Sequence, residues 1–270
     1  MLFEERKFTN LVSPYDVRDY KLVCTASATA FPDTFECAPV TVKDQGYTSS
    51  CVAHACSSIV EYHNNRQQDD NIVFSTEFIY GYRPVGYYVG EGMYLRDALK
   101  TLRKIGDVPQ SDLSGNHEYE EAMENVEVNF DRLKDTAYPN RISTYMRVHS
   151  ENDIKLALMK YGPVIVSMPW HINYNLVDNV YTFKGTSIAG YHCVFIYGWN
   201  EKGWLVHNSW GSYWGNNGKF IVPFNFKWEE AWTITDSIVN SDDITKPADK
   251  WYIRVFSKLI NLIGRLFSKQ

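Results

Sequence analysis

Hydrophobic positions along this 270-residue chain change their period near its middle. In the first half they recur at three- and four-residue intervals. Val52, Ala55, Cys56, Ile59 and Val60 predict a helix over 50–64, and Leu95, Ala98, Leu99 and Leu102 predict another. The run from Phe74 to Tyr80 reads as a helix start with Ser75 as its cap. A short helix over 153–159 is stopped by Gly162-Pro163. Beyond residue 136 the pattern moves toward strands. Segments 164–168, 180–183, 192–198, 204–208 and 219–222 are β-rich and separated by glycine turns. A helical half followed by a β-rich half predicts an α+β fold.

One polar stretch runs straight into the first of these helices: Asp44-Gln45-Gly46-Tyr47-Thr48-Ser49-Ser50-Cys51. Ser49 or Ser50 is placed to cap the helix, so Cys51 falls in its first turn. There the unpaired N–H groups and the helix dipole favour a thiolate. Gln45 carries a side-chain amide that can donate a hydrogen bond. A thiol nucleophile also needs a base, and its transition state needs donors for an oxyanion. Two distant stretches hold histidines: Gly190-Tyr191-His192-Cys193-Val194 through Gly198, and His207-Asn208-Ser209-Trp210-Gly211. His54 is tied to the same helix as Cys51 and points away from the thiol's reactive direction. His207 falls on the opposite strand face from Asn208. His117, beside Glu118 and Glu120, matches no strong metal-ligand spacing.

With these blocks in this order, the sequence resembles the papain-like cysteine peptidases over roughly residues 30–240. In that family a Gln-x5-Cys loop supplies the oxyanion donor and the nucleophile. A Gly-x-His-x-Val-x-x-x-Gly strand supplies the base, and an Asn-Ser-Trp-Gly strand end orients it. Gln45, Cys51, His192 and Asn208 match those four positions. The resemblance implies a two-lobed fold, with Cys51 from a helical lobe (about 44–135) and His192 and Asn208 from a β-barrel-like lobe (about 136–240). It implies a Cys51 thiolate beside a His192 imidazolium, with Asn208 holding the ring, Trp210 shielding that contact and Gln45 in the oxyanion hole. Gly92 and Met93 are candidates for an edge that pairs with substrate backbone. Gly190, Tyr191, Cys193 and Trp210 complete the candidate substrate-binding set.

Three family positions differ here: Val52 replaces a tryptophan, Ser49 a glycine, and Tyr191 an Asp or Asn. The expected activity is that of a cysteine endopeptidase acting on peptide or protein substrates, without a metal or cofactor. The alternative is a catalytically silent papain-like binding or assembly module. Asp16-Val17-Arg18-Asp19-Tyr20 resembles the lead-in of compact bacterial and viral members, and Phe31-Pro32-Asp33 the start of the mature domain in others. The stretch before residue 31 is short for the family's helical inhibitory pro-segment. Residues 1–30 therefore read as an arm packing on the surface of a 31–240 peptidase domain.

Composition adds a little. Apolar residues make up 44% of the chain and aromatic residues 15%, as in an ordered globular protein. A net charge of −5 gives no reason to expect nucleic-acid binding. The five cysteines form no disulfide framework. Thr48 stands where secreted family members usually carry a disulfide cysteine, so a reducing compartment is expected. No signal-peptide pattern opens the chain, and no apolar run is long enough to span a bilayer. The acidic stretch over 107–135 reads as a solvated face. Past Pro247, residues 250–269 form a basic amphipathic pattern with Trp251, Tyr252, Phe256 and Leu259 on one arc and Arg254, Lys258 and Arg265 on the other. This is expected to dock on protein or lie on a membrane surface.

Overall fold

The computed structural model describes residues 6–24, 30–68, 71–82, 90–235 and 244–245. The linker and basic amphipathic stretch expected at 241–270 lie outside the described residues, apart from one short strand.

The first predicted helix is α1 (Cys51–Gln68). The Ser50 carbonyl accepts its first turn's bond from His54 N. Residues 51–64 are buried on every side, polar ones included. A helix in that position must satisfy its polar groups internally. Ser57 Oγ donates to the Phe74 carbonyl, and the Glu61 carboxylate accepts from Thr41 N. Helix α2 (Thr76–Gly81) starts as expected, with Ser75 Oγ accepting from Phe78 N at 3.0 Å. Helix α3 (Leu95–Lys104) buries its four spaced apolar residues. The acidic stretch is the outer face of α4 (Tyr119–Ala137), a helix absent from the sequence reading. Its inner stripe of Ala122, Val126, Leu133 and Ala137 is buried. The packing of α2 on α4 is close enough that a Cβ at Gly81 would lie 2.1 Å from the Ala122 carbonyl oxygen.

These four helices make one lobe. The other contains α5 (Glu151–Lys160) and most strands: β5 (Thr144–Arg147), β6 (Val164–His171), β7 (Tyr174–Val177), β8 (Val180–Phe183), β9 (Ile188–Asn200), β10 (Gly203–His207), β11 (Lys219–Val222) and β12 (Glu230–Thr235). Short strands β2 (Lys21–Leu22), β3 (Phe35–Glu36) and β13 (Ile244–Thr245) join the same sheet. Its order is β13-β2-β5-β12-β6-β9-β10-β11-β8-β7, with β3 on β9. The architecture is the two-lobed α+β arrangement. Its longest pairing, β6 with β9, sets Met168 opposite His192 and Ser167 opposite Cys193.

Strand β12 was not foreseen. Every residue from Glu230 to Thr235 is buried, so the alternation of Trp232-Thr233-Ile234-Thr235 does not mark a solvent-facing side. Segment 164–168 was foreseen too short, because Pro169 sits inside β6.

The N-terminal stretch departs from expectation more sharply. It is not an arm on the outer surface. Strand β1 (Asn10–Leu11) pairs in parallel with β4 (Met93–Tyr94), at the entry to α3. Thr9 bridges to Tyr191 on β9. Residues 8–11 thus lie between the two lobes, where the edges of both are left open for pairing.

Candidate active site

The loop before α1 is fastened at several points. Lys43 Nζ reaches Ser57 Oγ at 2.6 Å and the Glu61 carboxylate at 3.3 Å, both on α1. Gln45 N donates to the Ser209 carbonyl, and Ser209 Oγ donates to Gln45 Oε1 at 2.6 Å. Gln45 Nε2 donates to the Thr48 carbonyl at 3.0 Å, and its second N–H remains for another acceptor. The loop is therefore tied to the stretch that carries Asn208. Cys51 follows at the mouth of α1 and is fully buried.

His192 comes from β9, and Asn208 follows the end of β10. His192 Nε2 donates to Asn208 Oδ1 at 2.8 Å, and the same oxygen accepts from Ser209 N. That bond assigns the proton to Nε2 and leaves the lone pair on Nδ1, which has no hydrogen-bond partner among the described residues. The imidazole lies in an aromatic box. Trp210 covers it at 4.9 Å between centroids, and Trp170 and Phe8 meet it edge-on at 5.4 and 5.9 Å. Trp210 lies where a shield for the His192–Asn208 contact was expected. Trp170 was missed because the 164–168 strand was ended one turn of the pleat too early. Phe8 gave no signal, because nothing local couples an N-terminal arm to a distant histidine.

Five of the six candidate substrate-binding residues, Gly92, Met93, Gly190, Tyr191 and Trp210, lie against residues 8–10, and the sixth is Cys193. A Cβ on Gly92 would fall 2.5 Å from the Thr9 carbonyl oxygen, and one on Gly190 would fall 2.5 Å from the Phe8 carbonyl oxygen. Two glycines on facing edges let a backbone pass closely between them. Met93 is in register with Asn10, Tyr191 bridges Thr9, and Cys193 is buried beside Cys51. Asn10 Nδ2 donates to Ser167 Oγ. Upstream, Arg6 reaches Asp44 at 2.9 Å and the Gly46 carbonyl at 2.6 Å, with its guanidinium over Trp210. Lys7 pairs with Glu91 and Glu118. The cleft is filled by the chain's own backbone.

This filling sets the electrostatics. Burial pushes the Cys51 thiol up to about 11, despite N–H groups of Cys193, Val52, Cys51 and Thr9 that favour the thiolate. Burial pulls His192 down to about 4. The Asn208 bond opposes that shift, and the Arg6 cation adds to it. With the arm in place the two groups are a neutral thiol and a neutral imidazole. Burial in the closed cleft thus works against the thiolate–imidazolium pair that the resemblance implies, because charge separation in a dry cleft is costly.

His54 is turned back onto the Ser50 carbonyl at 3.0 Å and is also lowered by burial to about 4. His207 stacks on Phe195, and burial lowers it likewise. His117 pairs with the buried Glu77 at 2.6 Å and with Glu121 at 3.4 Å. Among the described residues no group of three or more His, Cys, Asp or Glu is placed to hold a metal ion. All five thiols are unpaired.

The buried histidines make a pH prediction. His54, His63, His192 and His207 each sit near 4 through burial. In the unfolded chain they titrate near 6.5. Between those values the unfolded state binds more protons, so stability must rise with pH. The stabilising contribution is complete above about 6.5 and is lost as pH falls toward 4. Thermal unfolding followed from pH 7 to pH 4.5 should show a steady fall in midpoint. A flat profile would contradict neutral burial of these rings.

Comparison with known proteins follows the same lines. The sequence model of the papain family of cysteine proteases matches residues 32–235. An uncharacterized peptidase C1-like protein of Acanthamoeba polyphaga mimivirus is 27% identical over 234 residues, 74% of this chain and 72% of that protein. A cathepsin L-like proteinase of Fasciola hepatica is 25% identical over 241 residues, 83% of this chain and 71% of that protein. Xylellain, a cysteine protease from Xylella fastidiosa, shares the fold with a TM-score of 0.74 at 23% identity, covering 87% of this chain and 97% of its own.

Proposed function

The chain belongs to the papain family of cysteine proteases, and from that membership we propose an endopeptidase with Cys51 as nucleophile, held latent by its own residues 6–11. A papain-like cysteine protease is a hydrolase acting on peptide or protein substrates. The assignment of roles to particular residues is our reading.

Once the arm yields to substrate, the Cys51 thiol gives its proton to His192 Nδ1, and the thiolate attacks the scissile carbonyl carbon. The oxygen of the tetrahedral adduct takes hydrogen bonds from the second Gln45 N–H and from Cys51 N. The carbon–nitrogen bond then breaks, and His192 gives the proton to the leaving amine. Water, deprotonated by His192, attacks the thioester and releases the acid. Asn208 keeps the imidazole in one tautomer throughout, and the Trp210 ring keeps water from that bond.

One observation carries this reading. The His192–Asn208 hydrogen bond is sealed in an aromatic box, with Nδ1 left as the basic nitrogen. An unpartnered ring nitrogen is shared by the buried His63 and His207; what sets His192 apart among the described residues is the Asn208 side chain that holds its other nitrogen. Gly92 and Gly190 support it further, since they already accept an extended backbone between them.

The test is kinetic, on protein from which residues 1–11 have been removed. Gln45→Ala should lower kcat by roughly 10²- to 10³-fold with little change in KM, because its donor acts on charge that develops in the transition state. Asn208→Ala should cost less, because it orients the base and does not react. A raised KM with unchanged kcat in Gln45→Ala would remove the oxyanion role. If the opened protein is alkylated nowhere at Cys51, the silent-module alternative takes over.

A further inference from the structure

The N-terminal stretch is held in two ways, and the change falls at Val12. Residues 6–11 are fixed by ion pairs whose carboxylates water can serve on release and by one buried hydrogen bond, from Asn10 Nδ2 to Ser167 Oγ. Lys7 binds Glu91 and Glu118, whose side chains are about half exposed, and Arg6, whose own side chain is 8% exposed, binds the similarly exposed Asp44. Pairs as exposed as those of Lys7 contribute little to stability. Strand β1 is two residues long and pairs only with the two-residue β4.

Residues 13–24 are bound differently. Asp19 is 7% exposed and its Oδ2 accepts from Arg96 at 2.7 Å and Arg147 at 2.8 Å. Both guanidinium groups lie over the Trp232 ring, and Arg147 also approaches Glu230 at 3.6 Å. Ser13 donates through N and Oγ to Glu230 and accepts from Arg96 N. The body supplies two buried cations and one buried anion, and the arm supplies the second anion. Taking Asp19 away would strand a buried charge, the costly way to break such a network. Leu22 is fully buried, Lys21 is in register with Arg147 in the main sheet, and Cys24 N donates to Asp153 at 2.6 Å.

We propose that opening of the catalytic centre stops at Val12: residues 6–11 are a removable plug, and residues 13–24 are a permanent part of the working enzyme. The N-terminal boundary of the active form therefore lies near Val12, not at Phe31, where the resemblance would set it. The proposal rests on the reading of the cleft as catalytic. Its test reads access to Cys51, which is measurable whether or not the chain hydrolyses peptides.

Two full-length variants are compared by iodoacetamide labelling, with mass spectrometry of each cysteine, and by thermal unfolding. Phe8→Ala should raise Cys51 labelling about tenfold or more, confined to that thiol and with little change in melting. Asp19→Ala should lower the melting midpoint by about 10 °C. Its labelling should spread to the buried Cys37, Cys56 and Cys193. An Asp19→Ala protein that melts normally and labels only at Cys51 would overturn the proposal, since plug and clasp would then leave together. A second measurement does not depend on that variant folding. Wild-type protein is nicked with trypsin until Cys51 labels, separated by size exclusion, then denatured and weighed. Labelled molecules should retain residues 13–24, contiguous or nicked. Labelled molecules that have lost them would overturn the proposal.

Discussion

Removing residues 1–11 will speed alkylation of Cys51 at pH 7 by a few hundredfold. The size follows from the thiol's surroundings. In the intact chain burial holds it at about 11. At pH 7 that leaves about one molecule in ten thousand as thiolate, the reactive form. Return to the ordinary value near 8.5 raises the fraction to about 3%, roughly 300-fold. The sign is set by the arm. It excludes water from the cleft, and its Arg6 cation opposes charging of His192. Without it His192 can take up the proton, and an imidazolium beside the thiolate would carry the gain further. The measurement is the second-order rate with iodoacetamide, followed by mass at Cys51. An unchanged rate would mean that something other than the arm covers the thiol.

In the same shortened protein, Cys51→Ala should lower kcat/KM on a peptide substrate by on the order of 10⁴- to 10⁶-fold, and so should His192→Phe. Phe is the informative replacement. It keeps a ring against Trp170 and Trp210 and so preserves packing, while it deletes both nitrogens. Ala there would open a cavity and confuse lost chemistry with lost stability. Asn208 Oδ1 keeps its bond from Ser209 N in the variant. The double variant should be no worse than either single one, because a nucleophile without its base and a base without its nucleophile fail at the same step. Near-normal turnover in His192→Phe would assign the base elsewhere. His54, bound to Ser50, would be the first to examine.

Much of this was written locally in the chain. Helix starts at Ser75 and Leu95 need only a cap and a spacing, and both formed where the sequence put them. Strand segments 180–183 and 219–222 formed at the expected residues. The four proposed catalytic positions were legible because each sits in a short block whose neighbours are set by local geometry. What was missed has one physical character. Helix α4 hides a four-residue stripe beneath a conspicuous acidic face. Strand β12 is buried on both faces, so the alternation of Trp232-Thr233-Ile234-Thr235 does not separate a core side from a solvent side.

Local pattern therefore marked many of the elements and the candidate reacting residues, because capping, periodicity and loop chemistry act over a few neighbours. It could not fix the state of the reacting pair. A thiol at a helix N-terminus reads as activated, and here it is held near 11, because residues more than forty positions away in sequence close over it. Nor could it fix the division of the N-terminal stretch at Val12. That division depends on Asp19 meeting Arg96 and Arg147, 77 and 128 residues further along. Burial and charge pairing are sums over whatever the fold brings together, and only the folded chain determines those sums.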